Sequence, residues 1–553
     1  ADAIPFLPRR RPRHLLPRSA VNSQAPASDQ AHHSAGHAFR RSPAVHAGID
    51  SIVQELQRRQ QTITGTRGPT SDASKLSFDE FMQRAADVRG RGLFYPFVGS
   101  GFGRGPLVEL MDGSVKYDMI TGIGVRFFGY SDPDLVRASL QGGLEDVPMQ
   151  GHLMQNESAI EFAEILVQEA ARTSNIKHAF LCGSGAMANE NALKVCYQKN
   201  HYAPRVIAFS GCFMGRSTTM AQIGDNAGGR QGIPLSTLVD YMPFYDHIAA
   251  RRMSAGDVSG PTRYIDMCVW HLEQYLRRYP GQHACFIFEL VQGEGGFNTA
   301  LPEYHKALMQ VCKDHGVAVW SDEVQTFGRT ERMYCFEALG LGEYVDVVSI
   351  GKMSQVCAAL FTDEYNPNPG LLSGTFLGST SALHVGKRVL ERLRDDDYYS
   401  EMDGHGKVVK PGRIHKHHQL FRDHVAKLAR KHPDWFAHNN LVHEIASGYG
   451  GMLRLTPFAG RKEHVMKLCH VCYEEGLIVF YCGHGPFHLR MLPPLGVMHE
   501  SDWDPVFDIL ERAMAKVAAE MPEPELRSIR PMHRPLASDD ASSPSPNGRT
   551  DAR

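Results

Sequence analysis

Short apolar runs rich in Val, Ile, Ala and Phe recur through the middle of the chain and alternate with segments of helical period. Ile176-Lys177-His178-Ala179-Phe180-Leu181-Cys182 reads as a strand, followed by a glycine-containing turn and a helix through Asn191-Ala192-Leu193-Lys194. Arg205–Ser210 and Ala284–Val291 read as further strands. Val317-Ala318-Val319-Trp320 and Val345–Ile350 are two more, each leading into a polar residue. Runs of this kind suit a parallel sheet covered on both faces. Their alternation with helices predicts an α/β domain with a mostly parallel sheet, its functional residues beyond the carboxyl ends of the strands.

Residues 396–520 have another rhythm. Helices are expected over Lys416–Arg430, Arg461–Glu475 and Asp504–Ala519. Strands are expected near Gly448–Leu455, Leu477–Phe480 and Phe487–Arg490, together a smaller α+β domain. The predicted organisation is a disordered basic extension over 1–75, a segment over 76–135 packing with the small domain, a large domain over 136–395, a small C-terminal domain over 396–521 and a disordered tail over 522–553. Arg9-Arg10-Arg11-Pro12-Arg13 is basic and acid-poor, as organelle transit peptides are, yet its prolines oppose the amphipathic helix such a signal requires. A cytoplasmic location is expected, with a mitochondrial one if that segment is a transit peptide.

Composition narrows the function classes. With 42% hydrophobic and 22% charged residues, 553 residues suit a globular enzyme with a large core. The formal charge of −2 favours neither nucleic acid nor membrane, and no apolar stretch approaches a membrane span. The eleven cysteines lack the spacing of a disulfide framework. Cys469-His470-Val471-Cys472 has no second CxxC or matching His pair, so it is expected to be structural and no metal site is predicted.

The chemistry is carried by Ser321-Asp322-Glu323-Val324-Gln325 and, thirty residues on, Gly351-Lys352, each closing an apolar strand. A strand-end carboxylate and a nearby strand-end lysine are the two protein groups that pyridoxal phosphate needs. The lysine forms a Schiff base, and the acid keeps the pyridine nitrogen protonated. Taken singly, Lys352 would read as a surface lysine and Asp322 as a helix cap. Gly183-Ser184-Gly185-Ala186, between a strand and a helix, lets backbone N–H groups approach a phosphate.

With these motifs in order, the chain resembles class III aminotransferases of fold type I from about Tyr95 to Met514. It is nearest in motif to lysine 6-aminotransferases and 4-aminobutyrate transaminases. The resemblance implies Lys352 and Asp322 as catalytic residues. It implies Ser184, Gly185, Ala186, Phe213, Asp322, Gln325, Lys352 and Thr375 as pyridoxal-phosphate contacts. Phe213 would stack on the ring, core packing being the alternative, and Gln325 would lie beside the ring hydroxyl. Arg216, Glu294 and Arg490 would bind substrate, Glu294 pairing with Arg490 when a terminal amine is bound and releasing it for an α-carboxylate. An ordinary salt bridge is the alternative for that pair. Thr375 would reach the cofactor phosphate of a second subunit, giving a homodimer with shared active sites, although Thr380 also resembles the motif. Ser184 and Met187 stand where iron–sulfur members carry cysteines, so no cluster is expected.

What the resemblance implies is transfer of a terminal amino group from a small amino acid such as lysine or 4-aminobutyrate to 2-oxoglutarate, by a ping-pong mechanism. Ornithine, β-alanine or another diamine or ω-amino acid remain open as donors. The KxxQVC run of Lys352–Cys357 resembles the lysine enzymes. A class III aminomutase and a cofactor-free scaffold are the rival readings. Three departures fall on the donor pocket: a glycine missing from Gln325–Thr330, Ser447-Gly448-Tyr449-Gly450 in place of RGxG, and a long loop around Asp240–Gly281.

Overall fold

Strands that are apolar at consecutive positions need cover on both faces, and the central strands have it. β4 (His283–Phe288), β5 (Ala318–Glu323), β6 (Val347–Ile350) and β7 (Cys357–Thr362) are buried at every residue. With β1 (Ile176–Cys182), β2 (Arg205–Phe209) and β3 (Leu238–Met242) they form a seven-stranded sheet in the order β1-β7-β6-β5-β4-β2-β3. The pairs from β3 through β6 are parallel, and β7 runs antiparallel between β6 and β1. Six strands therefore end at one edge. The computed structural model describes residues 34–521 except 146–148, 151–152, 254–259, 404–407 and 437–443. The stretches 1–33 and 522–553, where disorder is expected, lie outside the described residues.

A second, antiparallel sheet is built from β8 (Ala446–Tyr449), β9 (Met452–Leu455), β10 (Phe480–Cys482) and β11 (His488–Met491), in the order β8-β9-β11-β10. Helix Arg413–Lys431 packs on β8 and β9, and helix Lys462–Glu475 packs on β10 and on the terminal helix Trp503–Ala519. A third sheet joins Gly99–Arg104, Leu107–Leu110 and Val115–Asp118 to Leu477–Ile478.

Three local expectations are corrected, and one strand is added. The glycine-rich strand near Gly448–Leu455 is a hairpin, with Ala446 opposite Leu455 and Tyr449 opposite Met452, because Gly450 takes φ +57° and turns the chain. The run Leu477–Phe480 is shared between two sheets. β7, which no sequence signal distinguished, lies second from the edge of the central sheet. Residues 34–75, where disorder was expected, carry the helices Ala35–Arg40 and Pro43–Gln60 and the start of Asp72–Arg89. Ile49 and Val53, one helical turn apart, are buried, and Gln60 Nε2 donates to Gly103 O at 2.8 Å and Ser131 O at 2.9 Å. Cys469 and Cys472 are fully buried in helix Lys462–Glu475, and burial pushes the Cys469 thiol up to about 12.

Gly448 sits at φ +118°, and a Cβ there would meet Met452 O at 1.9 Å. Gly448→Ala is expected to cost more than about 2 kcal/mol of unfolding free energy, because backbone at both ends of the contact must move. Urea denaturation would show this as a lower midpoint.

Candidate active site

The parallel register of β5 and β6 places Asp322 opposite Ser349 and Glu323 opposite Ile350, so the residues following each strand lie side by side. Alternation then sends the two acids to opposite faces. Glu323 turns into the core, where it accepts from Cys335 N and Phe336 N, and burial pushes it up to about 7. Asp322 faces a cavity of about 230 Å³ that Lys352, Gln325, Phe213, Gly185 and Ala186 also line. Gly351 is required by close approach, since a Cβ on it would meet Cys357 Sγ at 2.9 Å. Lys352 itself takes φ +56°, a strained conformation for a residue with a side chain.

Asp322 is 6% exposed; its Oδ2 accepts from Asn189 Nδ2 at 2.8 Å and its Oδ1 from Val324 N at 3.0 Å. Burial raises its carboxyl above the usual range, while these bonds and the nearby Lys352 charge pull it back. Burial also lowers the Lys352 ammonium, an effect that Glu294 opposes and Arg490 reinforces. Asn189 was not singled out by motif. Its only signal in the sequence is a polar residue on the buried face of helix Gly185–Lys199, one turn past the glycine turn. Glu289 accepts from Phe213 N at 3.0 Å and Gly293 N at 2.9 Å, and burial, then the charge of Asp322, push it up to about 8.

Ser184 caps helix Gly185–Lys199, its hydroxyl accepting from Met187 N at 3.2 Å, and this leaves the Gly185 and Ala186 N–H groups at the helix start. Gly185 is fixed by packing, because a Cβ would lie 2.6 Å from Val324 Cγ1. Ser184 borders the same turn but does not line the cavity. Thr375 is exposed, next to Phe376 at 62% exposure, whereas Thr380 is fully buried in the first turn of helix Thr380–Asp395.

Phe213 and Glu294 form the shared wall between this cavity and a second one of about 450 Å³, which Arg216 lines. Arg216 lies over the Phe213 ring at 5.7 Å and has no carboxylate within 4.0 Å among the described residues. Arg490, fully buried on β11, makes a two-pronged pair with Glu294, Nη1–Oε1 2.8 Å and Nη2–Oε2 3.0 Å. Burial raises the Glu294 carboxyl, but the charge and hydrogen bonds of Arg490 outweigh it and leave Glu294 below its usual range. The structure thus brings Asp322, Gln325, Lys352, Phe213, Gly185 and Ala186 to one cavity and Arg216 and Glu294 to its neighbour.

These residues fit pyridoxal phosphate. Gln325 Oε1 is buried without a hydrogen-bond partner, Asp322 is paired only with neutral donors, and a helix start faces the same space.

The fold is that of the fold type I pyridoxal-phosphate transferases. Lysine aminotransferase of Mycobacterium tuberculosis superposes with a TM-score of 0.64 at 20% identity, over 79% of this chain and 99% of that one. The match to the family model Aminotransferase class-III runs over residues 101–514, and the chain belongs to that family. It is 25% identical to acetylornithine aminotransferase of Caldanaerobacter subterraneus over 75% of this chain and 94% of the relative. It is 26% identical to 5-aminovalerate aminotransferase of Pseudomonas aeruginosa, over 75% and 93%. No helix among the described residues is long and apolar enough to cross a membrane.

Glu289 sets a pH signature. Its carboxyl is raised from 4.5 to about 8, so the native state holds a proton that the unfolded chain has lost between those values. The stability this gives is complete below 4.5 and is lost as pH rises through about 8. Glu323, raised to about 7, adds a loss of the same sign in the lower part of that range. Urea unfolding from pH 5 to 8 is therefore expected to show stability falling with pH, and Glu289→Gln to remove the Glu289 share, up to about 1.4 kcal/mol per pH unit.

Proposed function

We propose that this aminotransferase takes the terminal amino group of a small amino acid and passes it to 2-oxoglutarate. The observation that supports this reading best is the two-pronged Glu294–Arg490 pair beside the unpaired Arg216. A donor that reacts through its terminal amine brings one distant carboxylate, which Arg216 can hold through its planar fork. With Glu294 neutralising Arg490, the site offers no second cation near the reacting carbon. A 2-oxo dicarboxylate brings a second carboxylate, which Arg490 takes when Glu294 swings away. Lysine, 5-aminovalerate, acetylornithine and 4-aminobutyrate all present such a terminal amine. The KxxQVC run of Lys352–Cys357 inclines the reading to lysine.

Pyridoxal phosphate would be held by Lys352, Asp322, Gln325 and Phe213, with its phosphate at Ser184–Ala186 and against Thr375 of a second copy; when bound it supplies the electron sink and carries the amino group. Asp322, with Asn189 and Val324 N as its hydrogen-bond donors, would hold a proton on the ring nitrogen. Lys352 Nζ, made less basic by burial, is matched to taking a proton from the donor carbon and returning it. Phe213 and the buried wall around Glu289 exclude water from the reacting face. Thr375 is on the surface, so this reading needs a homodimer with shared sites.

The absorption spectrum of the purified protein, before and after L-lysine without acceptor, tests the reading. Conversion of the aldehyde-form band to the amine form is expected. An unchanged band points to another terminal-amine donor, and no band even after pyridoxal phosphate is supplied sinks the proposal. Lys352→Ala is expected to abolish turnover. Glu294→Gln leaves Arg490 unneutralised, and is expected to lower kcat/KM for the terminal-amine donor about tenfold or more while the glutamate half-reaction is largely kept. Equal losses in both half-reactions would contradict the switching role.

A further inference from the structure

A third cavity, of about 910 Å³, opens away from Lys352, between the loop after β3 and the second sheet. Its floor is Arg454 on β9, 8% exposed, with His488 of β11 beside it. Arg454 Nη1 donates to Gly296 O and, at 2.9 Å, to Asn298 Oδ1. Its Nε is buried with no hydrogen-bond partner, and no carboxylate lies within 4.0 Å of its guanidinium among the described residues. A buried cation with no carboxylate paired to it costs several kcal/mol unless an anion joins it; the carboxylate whose charge reaches it, Glu444, is paired with Arg422. The opposite wall is apolar and aromatic: Phe244, Ile248 and Tyr264. Arg252 adds a second positive charge at the rim. The acid on this wall, Asp246, is engaged with Ile248 N and Ala249 N of its own helix at 2.8 and 2.9 Å. Ser447 stands opposite Arg454 across the β8–β9 hairpin and also lines the cavity; two of the chain's departures from its family, this serine and the long loop after Asp240, meet here.

We propose that this cavity binds an organic carboxylate with an apolar body, its carboxylate on Arg454 and its body against Phe244 and Ile248. The site has the size of a small-molecule pocket, with an apolar and aromatic wall facing a polar one that carries Arg454. It shares no lining residue with the cavity that holds Lys352, and meets the cavity of Arg216 at His484 alone.

Calorimetric titration of the pyridoxal-phosphate-loaded protein with 3-phenylpropionate tests this, run in excess glutarate so that Arg216 and Arg490 are already occupied. One bound 3-phenylpropionate per chain is expected. Arg454→Met and Ile248→Glu should each weaken it by at least about tenfold, with the melting temperature of Ile248→Glu close to the parent. If Arg454→Met fails to fold, Ile248→Glu carries the test alone, since Ile248 is a partly exposed residue of the short helix His247–Met253. Binding that glutarate abolishes, binding that Ile248→Glu leaves unchanged, or inorganic phosphate binding as tightly as 3-phenylpropionate would each overturn the proposal.

Discussion

The parallel pairing of β5 with β6 is the constraint on which the site depends. It puts Asp322 level with Ser349, so Lys352 emerges within the same cavity as the acid. A slip of one residue would exchange the faces of Asp322 and Glu323 and turn the wrong carboxylate to the lysine. Every position in both strands is buried, so the register is held by the buried acids and their fixed partners: a slip would separate Asp322 from Asn189, and Glu323 from Cys335 N and Phe336 N.

Around that pair, low dielectric is the common influence. Burial raises the carboxyls of Asp322 and Glu289 and lowers the ammonium of Lys352, while hydrogen bonds to the two acids and the charge of Glu294 near the lysine oppose it. Glu323 shows that the same tetrapeptide can hold a structural acid as readily as a functional one. Its carboxyl caps the segment starting at Cys335 and never meets the cavity. The Glu294–Arg490 pair is of another kind: half of it is fully buried and half is reachable from the cavities, the arrangement a removable counter-ion requires.

Membership of the class III aminotransferases accounts for the large sheet, the glycine turn and the strand-end acid and lysine. The family relationship does not determine the donor. The relatives' names span acetylornithine and 5-aminovalerate. Of the three departures from the usual motifs, the shortened turn Gln325–Thr330 borders the cavity of Lys352, while Ser447 and the long loop after β3 line the cavity of Arg454.

Much of this was legible in the sequence by itself. The strand at Ile176–Cys182 and the helix after it, the strands leading to Asp322 and Lys352, and the three C-terminal helices follow from local period and from polar residues closing apolar runs. Local patterns carry no information on which strand lies beside which. The antiparallel β7, the turn at Gly450, the division of Leu477–Phe480 between two sheets and the helix Pro43–Gln60 therefore appeared only with the tertiary structure. So did Asn189 beneath Asp322 and the unneutralised Arg454, because a hydrogen bond or an unpaired buried charge is a property of what surrounds a residue. The sequence by itself determined the kind of chemistry; packing decided which of the two adjacent acids faces the lysine and which arginines lack a carboxylate partner among the described residues.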